Sequence, residues 1–297
     1  MNEKDDILQD FTVYLRGEGY RRQTVCGNMG MIRRFLCWVS DENMDYTEIT
    51  YRDVLSYIDH LKEKGNQKST INQCLGAIRH FYNCLQSAGL VSCNPAETLR
   101  IRNITRRVPH DLLTWDELEN LYHSYPEAGV TGKRNKAVIG LAVYQGLNAS
   151  ELAAIELTDV KLEEGKIYVP VTGRSNSRTL KLEAFQVLQL QKYITQVRPV
   201  ILIIAEKESE KLFISTGKGD RISNSYVYML RVVTKLNPKV KDMKQIRASV
   251  ITRWMSLYHI RQVQYMAGHR YISSTEYYRT DQIEGLQDQI DELHPLQ

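Results

Sequence analysis

Long apolar runs are missing from this chain of 297 residues: the longest, residues 200–205, is six residues of VILIIA. A membrane-spanning helix needs about 20 predominantly apolar residues, so none is expected, and the short run suits a buried segment. The opening MNEKDD has no apolar stretch of the signal-peptide kind, so the expected setting is cytosolic. Cysteine is scarce and clustered. Cys26, Cys37, Cys74, Cys84 and Cys93 all fall in the first third, odd in number and with no CxxC pair. That pattern argues against a disulfide framework or a zinc knuckle and predicts buried, reduced thiols. There is no HExxH and no Walker-type glycine loop, so the chemistry is expected to need neither metal nor cofactor. Charge of one sign is not in large excess either. Lys and Arg number 39 against 35 Asp and Glu, a net +4, which is compatible with a nucleic-acid partner without requiring one.

What is present is an ordinary globular composition, 42% hydrophobic and 25% charged, at a length that fits two domains. The first 93 residues carry four apolar stripes at helical spacing. They are Ile7, Leu8, Phe11, Tyr14 and Leu15; Met29, Ile32, Phe35, Leu36 and Val39; Val54, Tyr57, Ile58 and Leu61; and Ile71, Leu75, Ile78, Phe81, Tyr82 and Leu85. Thr50 and Asp53 form a capping-box pattern ahead of the third stripe. No strand pattern occurs here, and a four-helix domain over 1–93 is predicted.

Periodicity lapses over 94–113, where Arg100, Arg102, Arg106 and Arg107 are accompanied by one acid, Glu97. A basic connector can lie along phosphates and gain affinity by counterion release, or it can be a solvated linker. A second domain is expected over 114–284, opening on a second capping pattern at Thr114 and Glu117. Its helices are predicted at 137–147, after Ser150, and at 183–197, 223–236, 242–257, 260–267 and 272–281. A hairpin of strands 166–171 and 178–182 is expected, with residues 212–215 as a further strand. The tail, 285–297, has Leu286, Ile290 and Leu293 at helical spacing, a face that can pack on its own domain or on a neighbour. The fold class is thus mainly α with a small antiparallel sheet.

Three boxes near the C-terminus carry the chemistry: KQIR at 244–247, AGH at 267–269 and STEYY at 274–278. Arg247 precedes His269 by 269 − 247 = 22 residues, and Tyr278 follows it by 278 − 269 = 9. Singly, each has a plain structural reading: an arginine pairing a carboxylate, a histidine at a turn, one tyrosine among 18. The three residue types are ones that can serve phosphoryl transfer. A guanidinium fork matches two phosphate oxygens, a histidine adds a hydrogen bond, and a phenol with an unperturbed pKa near 10 becomes nucleophilic when cations favour the phenolate.

In this order and spacing the chain resembles the tyrosine-recombinase, or phage-integrase, family, whose members carry an H-x-L-R box, an L-G-H box and a tyrosine nine residues beyond that histidine. The resemblance extends over the N-terminal helices and the linker. It implies a SAM-like core-binding domain joined to an α+β catalytic domain, closing as a C-shaped clamp on double-stranded DNA. It also implies a tetramer on two recombination sites, a tail shared between protomers, and site-specific strand exchange through a 3′-phosphotyrosine. Tyr278 would be the nucleophile, and Arg247 and His269 would hold the phosphate. Lys68, Arg79, Arg100, Arg102, Arg106 and Arg107 would contact DNA.

Three positions depart from the family pattern. Where G-L-R-x-S-E-L is usual, residues 146–152 read GLNASEL, with Asn148 in place of the arginine. The hairpin lysine is replaced by Arg174, and the first histidine by Lys244. Arg174 and Lys244 are then supporting cations, with Lys181 on the second strand a further proton donor. The alternative is a DNA-binding regulator or architectural factor on the same fold that has lost catalysis.

Overall fold

A computed structural model describes residues 3–102, 111–173, 175–217 and 222–279. The chain divides into two compact units, Met1–Arg106 and Arg107–Gln297.

The first unit holds α1 (Glu3–Gly17), α2 (Arg22–Asp41), α3 (Tyr51–Glu63) and α4 (Lys68–Ser87). All four predicted stripes face one core, in which Phe11, Phe35, Phe81 and Tyr82 are fully buried. Phe11 meets Phe81 edge-on at 5.4 Å, the geometry aromatic quadrupoles favour. The Asp53 carboxylate accepts from Thr50 N at 2.8 Å and so caps α3 as its pattern predicts. Of the five thiols only Cys74 and Cys84 are buried, and burial pushes both upward in pKa. Cys26, Cys37 and Cys93 are exposed, on helix flanks or a turn that the apolar stripes do not include.

Residues just beyond α4 pack back onto it. Buried Asn94 donates from Nδ2 to Arg79 O (2.9 Å) and Asn83 Oδ1, and accepts from Ala96 N. Arg79 donates from Nη2 to Leu99 O (2.8 Å) and from Nε to Ala96 O.

The second unit holds α5 (Trp115–Ser124), α6 (Gly129–Tyr144) and α7 (Ala149–Ala154), then β1 (Val160–Lys161), β2 (Lys166–Val169) and β3 (Arg178–Lys181). It continues with α8 (Ala184–Lys192), α9 (Arg198–Ala205), α10 (Ser223–Leu236), α11 (Met243–Leu257), α12 (Ile260–Ala267) and α13 (Ser273–Glu276). Thr114 and Glu117 cap α5 reciprocally. Helix α6 is buried all round from Arg134 to Val143 and forms the centre of the unit; its second half, residues 137–143, is apolar on every face and so must be enclosed. The sheet is antiparallel in the order β1-β2-β3, with Ile167 opposite Leu180 and Val169 opposite Arg178. Ile167, Val169, Leu180 and Arg178 are all buried on its inner face.

Two expectations for the second unit fail. Residues 212–215 do not join the hairpin; the third strand is β1. Leu212, Phe213 and Ile214 are buried consecutively rather than alternately, so they plug the core, and Ile214 O accepts from the buried guanidinium of Arg134 at 2.9 Å. Nor is the apolar run 200–205 a buried segment. It forms most of α9, where Ile201 and Ala205 are buried, Leu202 is partly buried against the core and Ile203 is 77% exposed. No described helix is long and apolar enough to cross a membrane.

Candidate active site

The site is assembled around a buried carboxylate. Helix α6 ends at Tyr144, and Gly146 follows in the left-handed conformation (φ +59°) with Trp254 and Val250 packed against it. Two residues on, Asn148 caps α7. Its Oδ1 accepts from Ser150 N and Glu151 N at 2.9 and 3.0 Å, and its own N–H donates to Glu151 Oε2 at 3.0 Å. This reciprocal cap fixes Glu151, which is fully buried. Arg178 Nη1 donates to Glu151 Oε1 and Arg247 Nη1 to Oε2, each at 2.8 Å. Burial alone would raise the carboxyl pKa. The two guanidiniums, Arg247 foremost, and the cap bonds outweigh it and hold the group below the ordinary carboxylate range.

Arg247, on α11, is braced from three sides. Nη1 also donates to Gly146 O at 2.7 Å, and Nη2 donates to Ala267 O at 2.5 Å. A guanidinium carries five N–H donors. These bonds, with that to Glu151, occupy both donors of Nη1 and one of Nη2, leaving Nε–H and one Nη2–H for a substrate. The side chain is 11% exposed, so the guanidinium is sheltered from bulk water.

His269 follows the αL cap of α12, Gly268 (φ +67°). Gly268 O accepts from Asn176 N at 2.8 Å, and Ser175 pairs with His269 across an isolated bridge. The hairpin turn is thereby tied to the histidine. His269 Nδ1 lies 2.9 Å from the hydroxyl of fully buried Thr275, which leaves Nε2 for a substrate. Burial, with Arg247 and Arg178 adding to it and Glu151 opposing, lowers the imidazole pKa to about 4. The ring is therefore neutral at pH 7.

Tyr278 stands in a 3-10 turn, Tyr277–Arg279, directly after α13. Its ring stacks on His269 with centroids 5.9 Å apart and planes 8° from parallel, and Tyr277 meets it edge-on at 5.5 Å. Burial lowers the Arg247 pKa, and Glu151 and a phenolate at Tyr278 would oppose that shift. Arg247, His269 and Tyr278, three residues singled out by spacing, thus share one locus. Lys244 lies one turn before Arg247 on α11 and is exposed. Lys181, exposed, sits on the opposite side of β3 from buried Arg178. Arg174, Arg106, Arg107 and the tail 285–297 lie outside the described residues. In the first unit, Lys68 is exposed at the start of α4, and Arg100 and Arg102 are exposed. Arg79 is half-buried on its two carbonyls.

Sequence reasoning passed over Arg178, Glu151 and Thr275. The signal for Arg178 was available: in a strand over 178–182 it shares alternation parity with Leu180 and Leu182, an arginine on the apolar face. Glu151 was legible as the fourth residue of an N-x-x-E cap. Among the described residues no group of three or more His, Cys, Asp or Glu is arranged to hold a metal ion.

The chain matches a family model described as "Phage integrase family" over residues 111–284, and one described as "Phage integrase, N-terminal SAM-like domain" over 7–88. It is 27% identical over 261 residues to a tyrosine recombinase XerC of Pelotomaculum thermopropionicum, covering 84% of this chain and 82% of the relative. Among solved structures it is similar in fold to the Tn1549 transposon integrase in complex with circular intermediate DNA. That match has TM-score 0.70 and 19% identity, and covers 92% of this chain and 94% of that one. A lambda integrase tetramer bound to a Holliday junction matches with TM-score 0.66 and 15% identity, covering 92% of this chain and 76% of the other.

Proposed function

The chain belongs to the phage integrase family, and from that premise we propose that it is a site-specific DNA recombinase that cuts and rejoins strands through Tyr278. The observation that carries this reading is the convergence of Tyr278, His269 and Arg247 at one locus, with the phenol ring stacked on a neutral imidazole. In the reaction the Tyr278 oxygen attacks a backbone phosphorus as the P–O5′ bond breaks. The phenol gives up its proton and the leaving 5′ oxygen takes one up, so a 3′-phosphotyrosine and a free 5′ hydroxyl result. The bond energy stays in the phosphotyrosine, and rejoining needs no nucleotide cofactor.

Arg247 would take two non-bridging oxygens with its remaining Nε and Nη2 donors, a charge-assisted fork. The tautomer of His269 follows Thr275. If the threonine hydroxyl donates to Nδ1, Nε2–H donates to the phosphate; if Nδ1–H donates, Nε2 accepts the phenol proton. Exposed Lys244, one turn from Arg247, and Arg174 in the hairpin turn are the proposed sources of the leaving-group proton and of further phosphate charge. Lys68, Arg100, Arg102, Arg106 and Arg107 are proposed to lie along DNA phosphates. Arg79 acts indirectly, holding 94–99 against α4. Domain limits of 1–93 and 114–284, a basic joining segment between them, and a tail over 285–297 passing to a neighbour complete the reading. Four copies would assemble on two sites, in the cytoplasm.

The test is a pool of short nicked duplexes made from the genome that encodes the chain, incubated with protein and then denatured. The wild-type chain is expected to retain one sequence class covalently, and Tyr278→Phe none. Salt-sensitive binding of a cognate site with no denaturant-resistant adduct would instead identify a regulator on the recombinase fold.

A further inference from the structure

Glu151 poses an electrostatic problem for the site just described. It is completely buried and sits 2.8 Å from Arg247 Nη1, so alone with Arg247 it would form a neutral pair. A neutral pair offers a phosphate no net charge, and position 148, at the N-cap of α7, supplies only an uncharged asparagine committed to that cap. Among the described residues, the other charge in contact with Glu151 is Arg178. Its guanidinium is 0% exposed, takes the other oxygen of Glu151, and is anchored by Nε to Met266 O at 2.7 Å. Two guanidiniums against one carboxylate leave one net positive charge in the cluster.

The placement of Arg178 is not what packing alone would select. It occupies an inward position of β3, opposite Val169, on a face otherwise made of Ile167, Val169 and Leu180. Its Nη2 is buried with no acceptor, although buried polar groups are nearly always satisfied and an orphan calls for an explanation. The same guanidinium lies under Gly268, tight against its Cα, beside the backbone that carries His269.

We propose that Arg178 is a positioning residue for DNA cleavage: by neutralising Glu151 from the far side it leaves the charge of Arg247 uncancelled for the scissile phosphate, and so makes good the arginine absent at position 148. This rests on the recombinase reading above. It assigns the compensation to a residue in the strand rather than to Arg174 in the turn, and it accounts for an arginine buried on an apolar face.

The experiment uses the full chain and the duplex captured by the wild type, made in two forms. One has an ordinary scissile phosphodiester; the other has a methylphosphonate there, which lacks the negative charge. Arg178→Gln is expected to slow adduct formation on the phosphodiester by on the order of 10²-fold, the scale of a lost electrostatic contact in a transition state. On the methylphosphonate, which needs no net charge, the deficit relative to wild type should shrink to a few-fold. Asn148→Arg combined with Arg178→Gln refills the ion pair from the other side and is expected to restore cleavage of the phosphodiester. That double variant also carries the test if Arg178→Gln alone does not fold.

An equal deficit on both substrates, or a folded double variant that binds DNA without cleaving it, would overturn the assignment of Arg178 and leave the recombinase reading standing. A wild-type chain that forms no adduct would overturn both.

Discussion

Gly268 is the point at which backbone, ion cluster and histidine meet, and replacing it by alanine should be among the costliest single substitutions in the second unit. Its φ is +67°, and an added Cβ would collide with Arg178 Nη1 while lying 2.9 Å from Arg178 Cζ and 3.0 Å from Asn176 O. The left-handed conformation alone costs a residue with a Cβ about 1–2 kcal/mol. The collision adds a larger amount, because Arg178 cannot retreat without leaving Glu151 and Met266 O. Breaking one side of a buried ion pair costs about 3–5 kcal/mol. The sum, on the order of 4–7 kcal/mol, rivals the whole stability of many domains. Gly165 is the matched control in the same unit: its φ is +60°, but nothing lies within 4 Å of its would-be Cβ, so Gly165→Ala should cost only the conformational part. Equilibrium urea unfolding of both full-length variants, followed by tryptophan fluorescence, measures the difference. Equal costs for the two glycines would refute the claim that Gly268 is held by the Arg178 cluster.

Two further outcomes follow from titration and burial. His269 has a folded-state pKa of about 4 against 6.5 when unfolded, so between those values the unfolded chain binds a proton that the folded chain does not. Stability should therefore fall as pH drops from about 6.5 to about 4 and level off below, by up to roughly 3 kcal/mol from this group. His269→Gln should flatten that part of the difference curve in pH-dependent melts; an unchanged slope would show the imidazole to be free of the cluster's field. Thiol labelling under native conditions should modify Cys26, Cys37 and Cys93 quickly, and Cys74 and Cys84 only on unfolding, since the latter pair are buried with raised pKa values. Rapid modification of all five would contradict the packing of α4.

The helices of the first unit were legible because each carries a stripe of apolar residues at helical spacing and ends at a glycine or a cap. The spacing of Arg247, His269 and Tyr278 was legible for a different reason. Each sits at a fixed offset from an element boundary, so order in the chain translates directly into proximity. Misreadings came where composition is ambiguous. Residues 212–215 are apolar and short enough to be a strand, yet they fill the core as an irregular plug beneath Arg134. Residues 200–205 are uniformly apolar, and nothing in such a run says which side faces outward. Arg178 was missed because a charged residue in a strand is ordinarily assigned to the solvent face. Its burial depends on Glu151, 27 residues earlier in sequence (178 − 151 = 27) and brought alongside by the tertiary fold.

The whole account rests on which side chain becomes bonded to DNA. Digesting the denaturant-resistant adduct with protease and nuclease, then sequencing the modified peptide by mass spectrometry, answers this directly. A nucleotide-phosphate remnant on Tyr278 is the predicted result. A remnant on Tyr277, whose ring lies 5.5 Å away, or on any other residue, would contradict it.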